Sequence, residues 1–213
     1  MNFIIPYRNR KEHLNEFIRR FTSFDIDARF YIIHQINPGE FNRGALLNIG
    51  FLEVSKINPD GLFVFHDVDI YPAYWGSIQY DTKKGEIRHP CGHKGENIGG
   101  ISCFRKEEFE KVNGFPNYWG WGIEDCTAMH RAKKYNIPID ETNFVALDDA
   151  RCICSAHTRN TVKENESCRK NTALHNKEMQ MGITDGLSNI EYKVSSFELA
   201  PKFTIMNVEF KIL

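Results

Sequence analysis

Gly61-Leu62-Phe63-Val64-Phe65-His66-Asp67-Val68-Asp69 opens as an unbroken apolar run and closes on two carboxylates. A short run without polar alternation suits a central strand buried on both faces. Its neighbours are legible upstream. Phe3 to Ile5 reads as a strand, Leu14, Phe17, Ile18 and Phe21 recur at helical spacing, and Arg29 to Ile33 reads as a second strand. Leu46, Leu47, Gly50, Phe51 and Val54 then mark a second helix. Strand and helix alternating in this way predict an α/β fold, a Rossmann-like, mostly parallel sheet flanked by helices. Further on, the pattern predicts a strand over about 98–104, a short helix over 106–112 stopped by Asn113-Gly114, and a helix from Glu124 to about Tyr135. The last third reads as irregular until a strand-like stretch over 203–213. With no repeat and no low-complexity linker, the expectation is one domain over 1–213.

The 213 residues, 41% of them hydrophobic and 13% aromatic, are enough for a substantial core. A formal net charge of -1 and the lack of a long basic run argue against a nucleic-acid partner. No run approaches the roughly 20 apolar residues of a membrane span, and no export leader is visible. The six cysteines are expected to be reduced thiols. Asn165-Glu166-Ser167 matches the glycosylation sequon, a short pattern that carries no weight without secretion.

Asp67 and Asp69 follow the central strand, at the edge where open α/β sheets bind ligands. Asp-x-Asp also occurs in solvated loops; the preceding buried strand favours a divalent-cation site for Mg²⁺ or Mn²⁺ beside a diphosphate. Pro6-Tyr7-Arg8-Asn9-Arg10 follows the first strand on the same edge, and Phe41-Asn42-Arg43 opens the second helix. Their guanidinium groups and rings suit phosphates and a base. Trp119-Gly120-Trp121-Gly122-Ile123-Glu124-Asp125 sets two large aromatics on glycine hinges before paired carboxylates in a first helical turn, where the dipole favours the ionised form of a general base. The plain alternative is a Trp-rich turn with acidic capping residues. Cys152-x-Cys154-x-x-His157 lacks the second ligand pair of a structural zinc site; His157 suits an ion held by Asp69, the plain alternative being a surface histidine.

Four blocks in order resemble the β-1,4-galactosyltransferase family of inverting GT-A glycosyltransferases. They are Ile4 to Arg10 with Glu12-His13-Leu14, Phe41-Asn42-Arg43 through Phe51, Phe63 to Asp69, and Gly99-Gly100-Ile101-Ser102 running on through Asn113 to Gly122 and Glu124-Asp125. A weaker fifth includes Arg151-Cys152, His157 and Asp185-Gly186-Leu187. The resemblance implies a GT-A fold, with nucleotide-binding residues over about 1–105 and acceptor and catalytic residues over about 106–213. It implies that Pro6, Tyr7, Arg8, Arg10, Phe41, Arg43, Asp67 and Val68 contact a uridine diphosphate. Asp69, His157 and Cys154 are then the Mn²⁺ ligands, Gly100 approaches the donor phosphates, and Trp121, Gly122, Glu124, Asp125 and Arg169 shape the sugar pockets. Asp125 would be the base that deprotonates the acceptor hydroxyl.

Departures from the family pattern bear on substrate and setting. Cys154 stands where vertebrate members typically carry a methionine metal ligand, Asn97 replaces an aromatic before the glycine pair, and Cys126 stands where a further aspartate is common. Arg169-Lys170 with Ala173 replaces an apolar N-acetyl pocket, and Leu62 replaces a disulfide cysteine. The reading is therefore a metal-dependent enzyme moving galactose, N-acetylgalactosamine or glucose from a UDP-sugar to a glycan, in the cytoplasm of a bacterial or virus-infected cell, within a larger polypeptide or alone. Its rival is a noncatalytic nucleotide-sugar or glycan-binding module with the same fold.

Overall fold

The chain begins by alternating strand and helix, β1 (Asn2–Tyr7), α1 (Lys11–Thr22), β2 (Arg29–Gln35), α2 (Arg43–Ile57) and β3 (Phe63–His66). β1 runs parallel to both neighbours, with Ile4 facing Tyr31 of β2 on one side and Phe65 of β3 on the other. Asn42 caps α2, its side chain accepting from the Ala45 amide at 2.9 Å. The computed structural model describes residues 1–155 and 161–213. The remaining elements are β4 (Ile70–Pro72), β5 (Ile87–Gly92), β6 (Ile101–Phe104), α3 (Lys106–Lys111), α4 (Glu124–Lys134), β7 (Ile139–Asp140), β8 (Val145–Ala146), β9 (Cys152–Cys154), α5 (Thr161–Met181), β10 (Ile190–Ala200) and β11 (Phe203–Ile212).

Among the described residues the main sheet has nine strands, ordered β10-β11-β2-β1-β3-β6-β5-β7, with β8 also paired to β5. β6 runs antiparallel to β3 and β5, and β10 antiparallel to β11; the other ladders are parallel, so the sheet is mixed and mostly parallel. Strand alternation splits the core into two layers. Phe3, Ile5 and Val64 pack with Leu14, Phe17 and Phe21 of α1, while Ile4, Phe63 and Phe65 pack with Leu46, Leu47 and Val54 of α2. All six cysteines are reduced, and none of the described helices is long and apolar enough to cross a membrane.

Two stretches differ from expectation. The strand expected over 98–104 is confined to Ile101–Phe104, because the Gly99-Gly100 bend precedes it. The last third is not irregular: it holds the 21-residue α5 and the β10–β11 hairpin, whose second strand joins β2 in parallel. α5 escapes a search for apolar periodicity because its buried positions, Ser167, Asn171 and Glu178, are polar.

Those polar positions are satisfied by specific partners. Fully buried Arg131 of α4 donates through Nε and Nη2 to Glu178 Oε1 and Oε2 at 2.7 and 2.6 Å, and through Nη1 to the Gly114 carbonyl at 2.9 Å. A buried ion pair is strongly destabilised when one partner alone is removed. Glu178→Ala is therefore expected to lower stability by about 3–5 kcal/mol in urea unfolding, with Glu178→Gln losing less. An unchanged midpoint would show that the guanidinium reaches solvent instead.

Candidate functional site

The carboxyl ends of β1 and β3 and the N-termini of α2 and α4 converge on a cluster of charge. Arg43, in the first turn of α2, donates from Nε to Asp67 Oδ1 at 2.7 Å, and its Nη1 lies 3.6 Å from Glu124 Oε1. The guanidinium is buried, and neither Nη has a hydrogen-bond partner among the described residues. Burial opposes its charge, but Asp67, Glu124 and Asp125 together raise its pKa above the usual arginine value. Asp67 is fixed from behind, its amide donating to the Gly100 carbonyl at 3.1 Å. His66 is fully buried and directs Nδ1 at the Asp67 carbonyl, 2.8 Å away. Burial among Phe3, Phe17 and Phe21 pushes its pKa down to about 4, so the ring is neutral and Nδ1 is the donor.

Glu124 and Asp125 open α4. Sequence reasoning expects the helix dipole to keep such carboxylates ionised, yet Glu124 is pushed up to about 7. Burial is the largest cause and the Asp125 charge adds to it, with Arg43 only partly compensating. Desolvation outweighs the dipole. Asp125 is half-buried, and its Oδ1 accepts from the Cys126 amide at 2.9 Å. A Cβ on Gly99 would lie 2.0 Å from Asp125 Oδ2, so this carboxylate rests directly on glycine backbone. Ile123, just before α4, has φ +76, a left-handed conformation that costs a β-branched residue about 1–3 kcal/mol.

The other expected residues distribute around this cluster. Pro6 and Tyr7 end β1, the Tyr7 ring lying 5.1 Å from His34. Arg8 donates to the Gly39 carbonyl at 2.7 Å, and Arg10 Nη1 donates to Asp69 Oδ2 at 2.7 Å. Phe41 accepts the Gly120 amide at 2.9 Å through its carbonyl, tying the Trp loop to the start of α2. Val68 is buried, Gly100 has φ +89, and Trp121 is 48% exposed. The carbonyls of Trp119 and Gly122 both accept from Asn171 Nδ2 of α5 at 3.3 and 2.9 Å. Arg169, on the same helix, is exposed. Sequence reasoning missed Asn171 and Ser167, because only a recognised α5 points them at this loop.

The antiparallel pairing of β4 with β9 sets Cys154 opposite Ile70, and the Ser155 amide donates to the Asp69 carbonyl at 2.8 Å. That brings the Asp69 and Cys154 segments together; His157 lies outside the described residues. Among the described residues no three His, Cys, Asp or Glu side chains form a metal-binding group. A cavity of about 480 Å³ borders the Trp loop, lined by Trp119, Asn171 and Leu174, but it includes neither Asp67 nor Asp125. Buried charge rather than concavity therefore marks the site.

Residues 1–75 match the family model described as the N-terminal region of glycosyl transferase group 7, and residues 88–151 match the N-terminal domain of galactosyltransferase. The chain is 34% identical over 219 residues to β-1,4-galactosyltransferase 4 of Cricetulus griseus, covering 97% of this chain and 62% of that protein. It is 32% identical over 218 residues to human β-1,4-galactosyltransferase 1, covering 97% and 54%. The chain thus spans between about half and two thirds of the length of these relatives. A crystal structure of a mutant Drosophila β-1,4-galactosyltransferase 7, complexed with manganese, UDP-Gal and xylobiose, superposes with a TM-score of 0.82 at 24% identity, covering 100% of this chain and 94% of that one. The fold is that of the GT-A glycosyltransferases. Within that class, the chain belongs to the β-1,4-galactosyltransferase family.

Glu124 provides a test of the charge cluster. An acid whose folded pKa exceeds its unfolded value costs stability when ionised; this cost is absent below about 4.5, grows as pH rises, and is complete above about 7. The stability of Glu124→Gln relative to the native chain is expected to increase over that window by something on the order of 3 kcal/mol, read from urea unfolding at several pH values. A difference that does not vary with pH would refute the buried, protonated state.

Proposed function

We propose that this chain transfers a hexose from a UDP-sugar to a hydroxyl of a glycan acceptor, with inversion to a β-linkage. The observation that carries the reading is buried Arg43, held between Asp67 and Glu124 with neither Nη group hydrogen-bonded among the described residues, on the ligand-binding edge of a GT-A sheet. Such donors suit an oxygen-rich ligand, because buried N–H groups left without a hydrogen bond are costly. Arg8 and Arg10 lie on the same edge, after β1, and suit the diphosphate; Tyr7 offers a ring to the base. The donors proposed are UDP-galactose and UDP-N-acetylgalactosamine, with UDP-glucose next.

Asp125 is the proposed base. The acceptor oxygen attacks the anomeric carbon from the face opposite the diphosphate; the new C–O bond forms as the bond to the diphosphate oxygen breaks, UDP leaves with the electron pair, and the acceptor proton passes to Asp125. Glu124, the first residue of α4, and exposed Trp121, on the loop before it, border the sugar. Asp69 fits a hard divalent ion such as Mn²⁺, while the Cys154 thiolate is a softer donor than that ion prefers. His157 is the third proposed ligand. When bound, the metal supplies Lewis-acid stabilisation of the departing diphosphate. Arg10 Nη1 now occupies the Asp69 carboxylate as a cation in hydrogen-bonding contact, which supports a place for positive charge there.

Asp125→Asn keeps the shape of the side chain and removes its basicity. UDP-sugar binding is expected to survive while transfer falls by at least about 100-fold, the typical contribution of a general base. Equal activity would overturn the assignment of Asp125, and binding without any turnover in the native chain would favour a noncatalytic binding module. Calorimetric titration with the three sugar nucleotides, with Mn²⁺ and with chelator, is expected to show metal-dependent binding that Asp69→Ala abolishes. Affinity unchanged by the chelator would remove the metal from the proposal.

A further inference from the structure

His89 of β5 is wholly buried behind the Gly99-Gly100 bend, and both of its ring nitrogens face oxygen acceptors. Nδ1 lies 2.9 Å from Glu141 Oε1, and Nε2 lies 3.0 Å from the Gly99 carbonyl oxygen. A carbonyl oxygen has no hydrogen to give, and an ionised carboxylate has none either. A neutral imidazole carries one N–H, so it satisfies one of these oxygens and turns a bare lone pair on the other. Only the doubly protonated ring donates to both. The Glu141 side chain is 46% exposed, and a carboxylate in contact with water is an acceptor at neutral pH.

We infer that His89 is a buried imidazolium that fixes the Gly99 carbonyl and thereby positions Asp125, a role that rests on the reading of Asp125 as the base. The packing around this contact leaves little freedom. A Cβ on Gly92 would lie 2.1 Å from the Gly99 oxygen and 2.9 Å from His89 Nε2, so the imidazole reaches the carbonyl only because position 92 has no side chain. On its other side Gly99 touches Asp125, and the Gly100 carbonyl accepts from Asp67. One bend therefore connects His89 to both carboxylate positions of the site. With its oxygen held towards His89, the Gly99 peptide keeps that negative end turned away from the Asp125 carboxylate.

The groups facing His89 are few. Glu141 approaches from the segment after β7, the Phe144 ring packs edge-on at 4.9 Å, and Asp125 of α4 lies beyond Gly99. The adjacent Arg88 is engaged by Asp140 and the Thr142 carbonyl. The cation thus has one ion-pair partner in contact, Glu141, and one beneficiary across a peptide unit.

Nitrogen-15 NMR of the native protein with labelled histidine reads the protonation state directly, the His89 signals being assigned by their absence in His89→Gln. At pH 7 both ring nitrogens are expected to carry hydrogen; one protonated and one bare nitrogen would overturn the inference whatever reaction the chain performs. Glu141→Gln, at a half-exposed position that leaves the core intact, removes the ion-pair partner and allows a neutral ring. The acidic limb of the kcat profile for sugar transfer is then expected to move to higher pH by about half a unit, because a cation near the base favours its ionised form, while KM for the sugar nucleotide is retained. An unchanged profile would overturn the positioning role. If Asp125→Asn retained transfer, the base assignment would fall while the NMR result still determined the state of His89.

Discussion

The site depends on one buried guanidinium. Arg43 reaches Asp67 after β3 and Glu124 at the start of α4, so a single side chain joins three segments that are distant in sequence. Without it, carboxylates brought together by the sheet edge and the α4 N-terminus would repel one another where water screens them poorly. The same cation leaves donors in hand, since its Nη groups have no hydrogen-bond partner among the described residues. One group therefore combines two states: Nε holds the protein together, and the Nη edge keeps donors that the described residues do not use.

Most of the sheet-edge side of this arrangement was legible in the sequence, because it is built by burial. Phe3 to Ile5, the α1 stripe and Phe63 to Phe65 are apolar for the reason that they form two-sided core, and periodicity reports core. The ends of those elements then place Arg8, Arg10, Arg43, Asp67 and Asp69 on one edge without further information. What periodicity does not report is polar packing. α5 is buried through Ser167, Asn171 and Glu178, and each has a partner: Glu40 for Ser167, the Trp loop carbonyls for Asn171, and Arg131 for Glu178. Such a face looks like a solvated one until the partners are known. The protonation of Glu124 was illegible for a related reason, since it depends on burial by residues far away in sequence rather than on its place in a helix.

Close approach is the second constraint at the site. Asp125 rests on Gly99, and Gly120 faces Ser167 of α5, where a Cβ would come within 2.2 Å of the hydroxyl. The Trp loop is therefore pressed between the sheet edge and α5 with no space for side chains at those points. Ile123 holds a left-handed conformation immediately before the paired carboxylates, and such strain persists only where surrounding contacts over-determine the backbone. Thr127 supplies part of that determination, its amide and hydroxyl both donating to the Ile123 carbonyl at 2.8 and 2.9 Å.

The two sides of the site consequently differ in what holds them. Elements carrying Asp67 and Arg43 are anchored by apolar layers on both sheet faces, and hydrophobic burial is non-directional and proportional to the area removed from water. The loop from Trp119 to Gly122 is instead clamped by hydrogen bonds from α5, while α4, which carries Glu124 and Asp125, adds apolar packing through Ala128, Met129 and Ala132 to the Arg131–Glu178 pair. Hydrogen bonds are directional, each contributing about 0.5–1.5 kcal/mol net, so a helix held by a few of them fixes a geometry without a large reservoir of stability. Local opening free energies follow the number of buried apolar contacts. The Trp loop therefore rests on directional contacts, while the edge carrying Asp67 and Arg43 rests on two apolar layers.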